Sequence, residues 1–251
     1  MSKKIQPHIF VGKGDIAEYV LLPGDPGRAD KIAELFTDVR KVAQYRGFVT
    51  YTGKYSGIPV SVTSTGIGCP SACIALEELI KSGANTFIRV GTTGSIQKHI
   101  NSGDIVIPTA ATRTDGTTKA YAPVEYPAVA NYEVTSALSE AAQKLGVRYY
   151  SGIVWTSDSF YAEGEEPVKI WNQAGVLSVE MECSGIFTIA NIRGMRAGAI
   201  LAVDGNLVKG KKKGEFEHGE KKGELADKVQ KAINDEIRVA LATVKLLEEK
   251  K

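Results

Sequence analysis

Short apolar runs that end at glycine or proline alternate along the chain with longer segments in which apolar residues recur every three to four positions. The short runs predict strands at residues 19–22, 58–64, 86–90, 104–107, 152–155, 176–179 and 197–203. Several of them are apolar at nearly every position, which is typical of strands covered on both faces in a parallel sheet.

The periodic segments predict helices. One is expected to begin near Arg28, and others span residues 70–81, 133–145, 181–192 and 223–249. The last has the clearest 3.6-residue period, with apolar positions Leu225, Val229, Ile233, Ile237, Ala240, Val244 and Leu247. Alternating strands and helices, with no internal repeat, predict an α/β fold: a single domain over residues 1–251, with a mixed, largely parallel central sheet flanked by helices.

Composition narrows the classes of function. Among 251 residues, 31 Lys+Arg face 29 Asp+Glu, and the formal charge of +2 argues against a nucleic-acid partner. No stretch approaches the ~20 apolar residues that span a bilayer, and the charged first residues precede no apolar signal core. We therefore expect no membrane partner and a cytoplasmic location.

Histidine and cysteine chemistry has little support. An odd number of cysteines favours a reducing compartment over a disulfide framework; they are Cys69, Cys73 and Cys183. The three histidines are scattered along the sequence and form no zinc motif, and no nucleophile elbow accompanies them as a catalytic triad would require; they are His8, His99 and His218. Carboxylates, arginines and backbone N–H groups remain as the sources of catalysis.

Two arginines lie near the carboxyl ends of predicted strands, where open α/β sheets bind ligands. The stretch from Gly24 to Arg28 presents glycine backbone and a guanidinium at a helix start, as an anion site or as a plain turn. Arg89 interrupts an apolar strand, and a buried arginine requires an anionic partner. The hydroxyls of Thr92 and Thr93 follow it, so the sequence predicts a phosphate site.

Carboxylates follow two other strands. Glu180 and Glu182 directly succeed an apolar strand and suit the two hydroxyls of a sugar, although a helix N-cap accounts for one of them. Asp204 ends the last strand as a candidate general acid or as part of an Asp-Gly turn. Phe160 offers a ring for stacking on a base or for core packing.

Residues 209–224 consist mostly of lysine, glycine and glutamate. A solvated loop is one interpretation, and a lid that closes over an anionic substrate is another. Nucleic-acid binding through the lysines is the third, but the neighbouring glutamates oppose it.

In this order, the motifs resemble the nucleoside phosphorylase family that contains bacterial hexameric purine nucleoside phosphorylase, uridine phosphorylase and archaeal methylthioadenosine phosphorylase. The similarity extends from His8 to Gly205. The stretches that carry it are Leu22-Pro-Gly-Asp-Pro-Gly-Arg28, Arg46-Gly-Phe48, Tyr51-Thr-Gly-Lys-Tyr55, Arg89-Val-Gly-Thr-Thr-Gly94, Ser157-Asp-Ser-Phe-Tyr161, Val179-Glu-Met-Glu182 and Val203-Asp-Gly205.

The resemblance implies that a nucleoside and phosphate give a free base and ribose 1-phosphate. It implies neither a metal nor a cofactor, and it makes inorganic phosphate a co-substrate. The implied phosphate ligands are Gly24, Arg28, Arg89, Thr92 and a neighbour's Arg46. The implied ribose ligands are Glu180, Met181, Glu182 and a neighbour's His8. Phe160 and Asp204 would contact the base, with Asp204 protonating purine N7, and the shared sites imply a homo-oligomer, a hexamer built from dimers.

Base preference is the open point. Uridine phosphorylases of the family usually carry a Gln-x-Arg pair after the Phe-Tyr segment, and residues 160–167 contain neither Gln nor Arg. We therefore expect a purine nucleoside of the inosine, guanosine or adenosine type. Uridine phosphorylase is an alternative, and so is methylthioadenosine phosphorylase, which the segment through Glu165, Glu166 and Trp171 resembles. A nucleoside hydrolase or a non-catalytic binding protein is a further alternative, and the arginines oppose the hydrolase.

Overall fold

The computed structural model describes residues 4–162, 164–210 and 222–251, which form a mixed β-sheet covered by helices. The strands are β1 (Tyr19–Leu22), β2 (Thr37–Tyr45), β3 (Phe48–Tyr55), β4 (Ile58–Thr63), β5 (Thr86–Ser95), β6 (Ile105–Arg113), β7 (Ala128–Val129), β8 (Tyr149–Thr156), β9 (Ser178–Glu180) and β10 (Arg196–Asn206). The helices are α1 (Pro26–Ala33), α2 (Cys69–Ser82), α3 (Tyr132–Lys144), α4 (Glu165–Gln173), α5 (Cys183–Ile192) and α6 (Lys222–Glu249). The predicted α/β class is confirmed.

Local sequence explains where α1 begins and where α2 ends, two helices that frame the site. The Asp25 side chain accepts hydrogen bonds from the N–H groups of Gly27 and Arg28, and Pro26 occupies the first turn of α1. At the end of α2, Gly83 adopts a left-handed conformation with φ 111° and stops the helix. Arg28 is thereby fixed in the first turn of α1, beside the end of β1.

The strand order is β10-β6-β8-β9-β5-β1-β4-β3-β2, and β10 also pairs with β5. Along one edge of β5, Arg89 pairs with Leu22 of β1, and Gly94 then pairs with Val179 of β9. Residues 90–93 lie between these two pairings. The strand thus changes partner in its middle, and the change opens a crevice at the carboxyl ends of β1 and β4.

Helices cover both faces of the sheet, and each face has its own apolar core. Residues of α2 and α5 pack with Val20 and Leu22 on one side, while those of α1, α3 and α6 pack with Tyr19 and Leu21 on the other. Successive residues of a strand point to opposite faces, so one strand supplies both cores. This accounts for the nearly continuous apolar runs that the sequence shows.

Four of the elements named above were not predicted: β2 and β3, which form a hairpin, the two-residue strand β7, and α4. β2 is exposed at most positions because it lies at the edge of the sheet, so its sequence lacks an apolar run. The antiparallel pairs β2–β3 and β3–β4 also make the sheet more mixed than the strand sequences suggest.

In the part of the chain that the structure describes, no helix is long and apolar enough to cross a bilayer. Most of the lysine-rich segment, residues 211–221, lies outside the described residues, as does Glu163. The three interpretations of that segment therefore stay predictions.

Candidate active site

The loops that follow β1 and β4 form one wall of the crevice. Gly66 donates its N–H to the Gly24 carbonyl oxygen at 3.0 Å, and Thr65 donates to the Pro23 oxygen at 2.8 Å. A Cβ atom on Gly24 would lie 3.1 Å from the Gly66 oxygen, a distance tighter than most side chains allow. Glycine at this position therefore lets the two loops approach each other at the mouth of the crevice.

Arg28 reaches into the crevice from α1. Its Nη1 donates to the carbonyl oxygen of Val90 at 3.1 Å, in the part of β5 that lies between the two pairings. The same nitrogen is 3.5 Å from Oε1 of Glu236, a residue of α6 that is completely buried. The Arg28 side chain itself is only 12% exposed.

Arg89 lies between two buried glutamates. Its Nε donates to Glu180 Oε2 at 3.0 Å, and its Nη2 is 2.5 Å from Glu182 Oε2. Burial disfavours the charged guanidinium, but the charges of Glu182 and Glu180 outweigh this effect, so the pKa of Arg89 is raised. The arginine stays cationic, and the expectation that it needs anionic partners is confirmed.

Gly91 makes room for this guanidinium. A Cβ atom at that position would lie 2.8 Å from Cζ and Nη2 of Arg89. The arginine side chain folds over its own strand, and only a residue without a side chain lets it do so.

The two glutamates differ in how much of their hydrogen-bonding capacity the protein uses. Glu180 accepts from the N–H groups of Glu182 and Cys183, from the Thr156 hydroxyl and from Arg89. A carboxylate has about four acceptor positions, so Glu180 is filled by protein donors. Glu182 accepts the Gly68 N–H at 2.6 Å on Oε1, contacts Arg89 through Oε2 and accepts a hydrogen bond from the Met181 backbone, which leaves its carboxylate able to accept a further donor.

The surroundings of Glu182 raise its pKa. Burial and the charge of Glu180 raise its pKa, although Arg89 acts in the opposite direction. Two carboxylates around one guanidinium leave this buried cluster one negative charge in excess. A ligand that donates hydrogen bonds to Glu182 would therefore stabilise its ionised form.

Asp204 and Thr92 lie on the two long strands that line the crevice. The β5–β10 register shifts between Val203 and Gly205, which makes Asp204 the extra residue of a β-bulge. Bulges turn a side chain away from the regular alternation of a strand, and Asp204 is partly buried there. Thr92 pairs with Ala202 just before the bulge and is also partly buried.

Phe160 lies in the loop after β8. Thr156, the last residue of β8, pairs with Glu180, so the loop begins beside the glutamate cluster. Phe160 is 40% exposed, and its ring contacts Tyr161 edge to face at 5.1 Å. An exposed aromatic ring at this position is available to a planar ligand.

His8 and Arg46 do not join this cluster. The His8 Nδ1 lies 2.6 Å from Oε1 of Glu78, which is nine residues beyond Cys69, at the far end of α2 from Gly68. At 1.5 Å per residue this places the His8 contact about 14 Å from the helix start. Arg46, in the β2–β3 turn, is exposed and stacks over the Tyr45 ring at 5.5 Å.

Glu236 and Glu78 were missed by the sequence interpretation. The pattern around Glu236 carried a signal: it falls within the apolar face of α6, next to Ile237 and one turn from Ile233 and Ala240. A carboxylate in such a stripe is costly unless it meets a cation or a donor. Nothing local indicated that the cation would be Arg28.

Two guanidinium groups and the backbone of the β1 and β4 loops thus converge on one crevice, next to a carboxylate that retains acceptor capacity. Guanidinium groups and backbone N–H groups bind phosphate, and a carboxylate with spare lone pairs binds hydroxyls. The arrangement is suited to hold an anion beside a polyhydroxyl group.

Comparisons with known proteins agree with this chemistry. The model of the phosphorylase superfamily matches residues 18–245. The chain is 52% identical over 217 residues to a uridine phosphorylase of Thermococcus kodakarensis, covering 81% of this chain and 78% of that protein. It is 43% identical over 242 residues to a guanosine phosphorylase of Halorubrum lacusprofundi, covering 96% and 99% of the two chains.

A solved structure has the same fold. The crystal structure of uridine phosphorylase from Vibrio fischeri superposes with a TM-score of 0.85 at 34% identity, covering 95% of this chain and 96% of that one. The family model, the two relatives and the shared fold confirm the resemblance that the motifs carried. The chain therefore belongs to the phosphorylase superfamily and is an enzyme of its nucleoside phosphorylase family.

Proposed function

We propose that the crevice binds inorganic phosphate through Gly24, Arg28, Arg89 and Thr92 and directs it at the ribose carbon that carries the base. The observation that carries this proposal is the convergence of Arg28 and Arg89 where β5 changes partner. Breaking the glycosidic bond builds positive charge on the sugar, which an adjacent phosphate anion stabilises. Holding both reactants in one crevice makes the attack effectively unimolecular. The reaction requires phosphate as co-substrate and no cofactor.

Glu182 is the proposed ribose ligand, with Met181 beside it. Its carboxylate retains acceptor capacity for a hydroxyl of the sugar. Glu180, which the sequence interpretation grouped with the ribose ligands, is assigned a different role. Its acceptor positions are filled, so it positions Arg89 and the start of α5.

For the base we propose uridine as the preferred substrate. Two of the three relatives described above are uridine phosphorylases, and one of them has the highest identity of the three. This supports the pyrimidine alternative better than the purine preference expected from residues 160–167. Phe160 is the proposed stacking partner of the base, and Asp204 the proposed hydrogen-bonding partner at its edge.

Guanosine is the second candidate. The guanosine phosphorylase relative aligns over nearly its whole length. Residues 160–167 also lack the Gln-x-Arg pair that the family resemblance associates with uracil. These two observations favour a 6-oxopurine as an additional or alternative substrate.

His8 and Arg46 are proposed to serve a neighbouring copy of the chain. His8 is held by Glu78 in the second half of α2, and Arg46 is exposed at a hairpin tip. A homo-oligomer with shared sites would use them, and a hexamer built from dimers is the arrangement we propose. Light scattering coupled to gel filtration measures the oligomeric state directly.

A substrate panel tests the proposal. Purified protein is incubated with uridine, guanosine, inosine, adenosine and methylthioadenosine, with and without inorganic phosphate, and free base and ribose 1-phosphate are quantified. We expect phosphate-dependent release, fastest for uridine and next for guanosine. Equal release without phosphate would reject the phosphorylase mechanism, whereas fastest release from a purine would reject only the base assignment.

A further inference from the structure

Glu236 is a buried carboxylate that reaches the crevice from behind. It lies on α6, is completely inaccessible to solvent, and accepts the Ala202 N–H at 2.9 Å through Oε2. Ala202 is the residue of β10 that pairs with Thr92. The other oxygen of Glu236, Oε1, accepts no hydrogen bond from any described residue and lies 3.5 Å from Nη1 of Arg28.

A buried carboxylate oxygen without a hydrogen bond is costly when it is ionised. Its surroundings contain charges of both signs: Arg28 from α1 and Arg89 from β5 favour the ionised form, and Asp204 from β10 opposes it. On α6 itself, Asp235 is engaged by Lys231 and Arg238. Burial has the largest effect and raises the pKa of Glu236 to about 8.

Resting on the proposed phosphate site, we propose that Glu236 is a proton-linked positioning residue for Arg28, releasing this arginine to the phosphate when neutral and competing for it when ionised. The geometry supports this because one nitrogen of Arg28 faces both the crevice backbone at Val90 and the Glu236 oxygen. A bound dianion adds negative charge near an already buried carboxylate. Anion binding is therefore coupled to uptake of a proton by Glu236.

This coupling predicts how anion affinity depends on pH. Phosphate itself ionises near neutral pH, so sulfate, which stays a dianion, is the better probe. Its inhibition constant is measured against phosphate in the nucleoside cleavage assay between about pH 6 and 9. When binding takes up one proton, each unit by which the pH rises weakens binding by at most about tenfold. We expect the constant to be nearly level on the acid side and to rise above about pH 8 in the wild-type enzyme.

Glu236→Gln keeps the shape of the side chain and removes the ionisation. We expect its sulfate constant to stay level across the range, so that at the alkaline end it binds sulfate about tenfold tighter than the wild-type enzyme. Loss of packing alone would not increase affinity. Asp235→Asn is the matched control, because it removes a neighbouring carboxylate of α6 that pairs with Lys231 and Arg238 of the same helix, and it should keep the wild-type slope.

The outcomes are separable. Absence of phosphate-dependent cleavage in the wild-type enzyme would reject the proposed function as a whole. Cleavage with a level wild-type sulfate profile, or with equal slopes in wild type and Glu236→Gln, would reject only the role of Glu236. Should Glu236→Gln fail to fold, Glu236→Met supplies a second neutral side chain, and the wild-type profile by itself still decides against the proposal if it is level.

Discussion

Replacing Gly91 with alanine tests whether the placement of Arg89 controls phosphate use. The added Cβ would lie 2.8 Å from Cζ and Nη2 of Arg89, whereas ordinary contacts begin at 3.4 Å, so the guanidinium must retreat by about 0.6 Å. It is 4% exposed and held by Glu180 and Glu182 at 3.0 and 2.5 Å, so retreat lengthens at least one of these contacts.

The expected effect is a rise in KM for phosphate together with a fall in kcat. A displacement of 1 Å at a reacting centre costs up to about 100-fold, so we expect kcat/KM for phosphate to fall by about 10- to 100-fold. Overpacking a buried site costs about 1–3 kcal/mol of stability, which should leave the variant folded. Initial rates at varied phosphate and fixed nucleoside, with urea unfolding on the same sample, separate the two effects.

Gly116→Ala is the matched control, because its Cβ would meet its nearest neighbour, Asp158 Oδ2, at an ordinary 3.6 Å. It should change neither phosphate kinetics nor the unfolding midpoint. If Gly91→Ala retains wild-type KM and kcat for phosphate while remaining folded, the position of the Arg89 guanidinium does not govern phosphate use, and the site assignment loses its main support.

Four further expectations follow from the same geometry. Glu182→Gln should lower kcat/KM for a ribonucleoside by about 10- to 100-fold, the effect of one hydrogen bond to a charged group, and less for the 2′-deoxynucleoside; equal losses would contradict the ribose assignment. Asp204→Asn should slow guanosine by ~10²–10⁴-fold and uridine less, because purine N7 gains a proton as the base leaves, whereas the uracil anion is delocalised over its carbonyls; unchanged guanosine turnover would show that another group supplies the proton. Burial places the pKa of Glu236 above that of an unfolded glutamate. The free energy of unfolding of the wild-type protein, measured by urea titration, should therefore fall relative to that of Glu236→Gln as pH rises from about 4.5 to about 8, by at most ~1.4 kcal/mol per pH unit. Parallel pH profiles of the two proteins would argue against this burial effect. Finally, Arg46→Ala and Arg89→Ala are each expected to be inactive alone. When the two chains are unfolded and refolded together as dimers, about a quarter of wild-type activity should return, because half the dimers are mixed and each mixed dimer has one intact site of two. No recovery would place Arg46 in the site of its own chain.

Much of the fold is encoded locally. The apolar runs at β1, β4 and β5 and the periodicity of α6 identify these elements, because burial on one or both faces imposes a spacing that is visible in any short window. Arg89 was identified in the same way, since a charge inside an apolar strand requires an anionic partner wherever the strand lies. The β2–β3 hairpin escaped because an edge strand exposed to solvent has no such spacing.

Partners distant in the chain were decided by the tertiary structure alone. That β5 leaves β1 and joins β9 follows from how the sheet twists and closes, and this exchange creates the crevice. The assignment of Glu180 to positioning and of Glu182 to a ligand depends on which donors the fold supplies to each, although the two residues look equivalent in the sequence.

By itself, the sequence determined the α/β class, the strand ends where ligands collect, and the arginine and carboxylate chemistry available there. The pairing of Arg28 with Glu236 and the separation of His8 from the Arg89 cluster came only from the packed structure. The physical reason is that periodicity reports which face of an element is buried, whereas the charge that meets a buried group depends on which elements pack against each other.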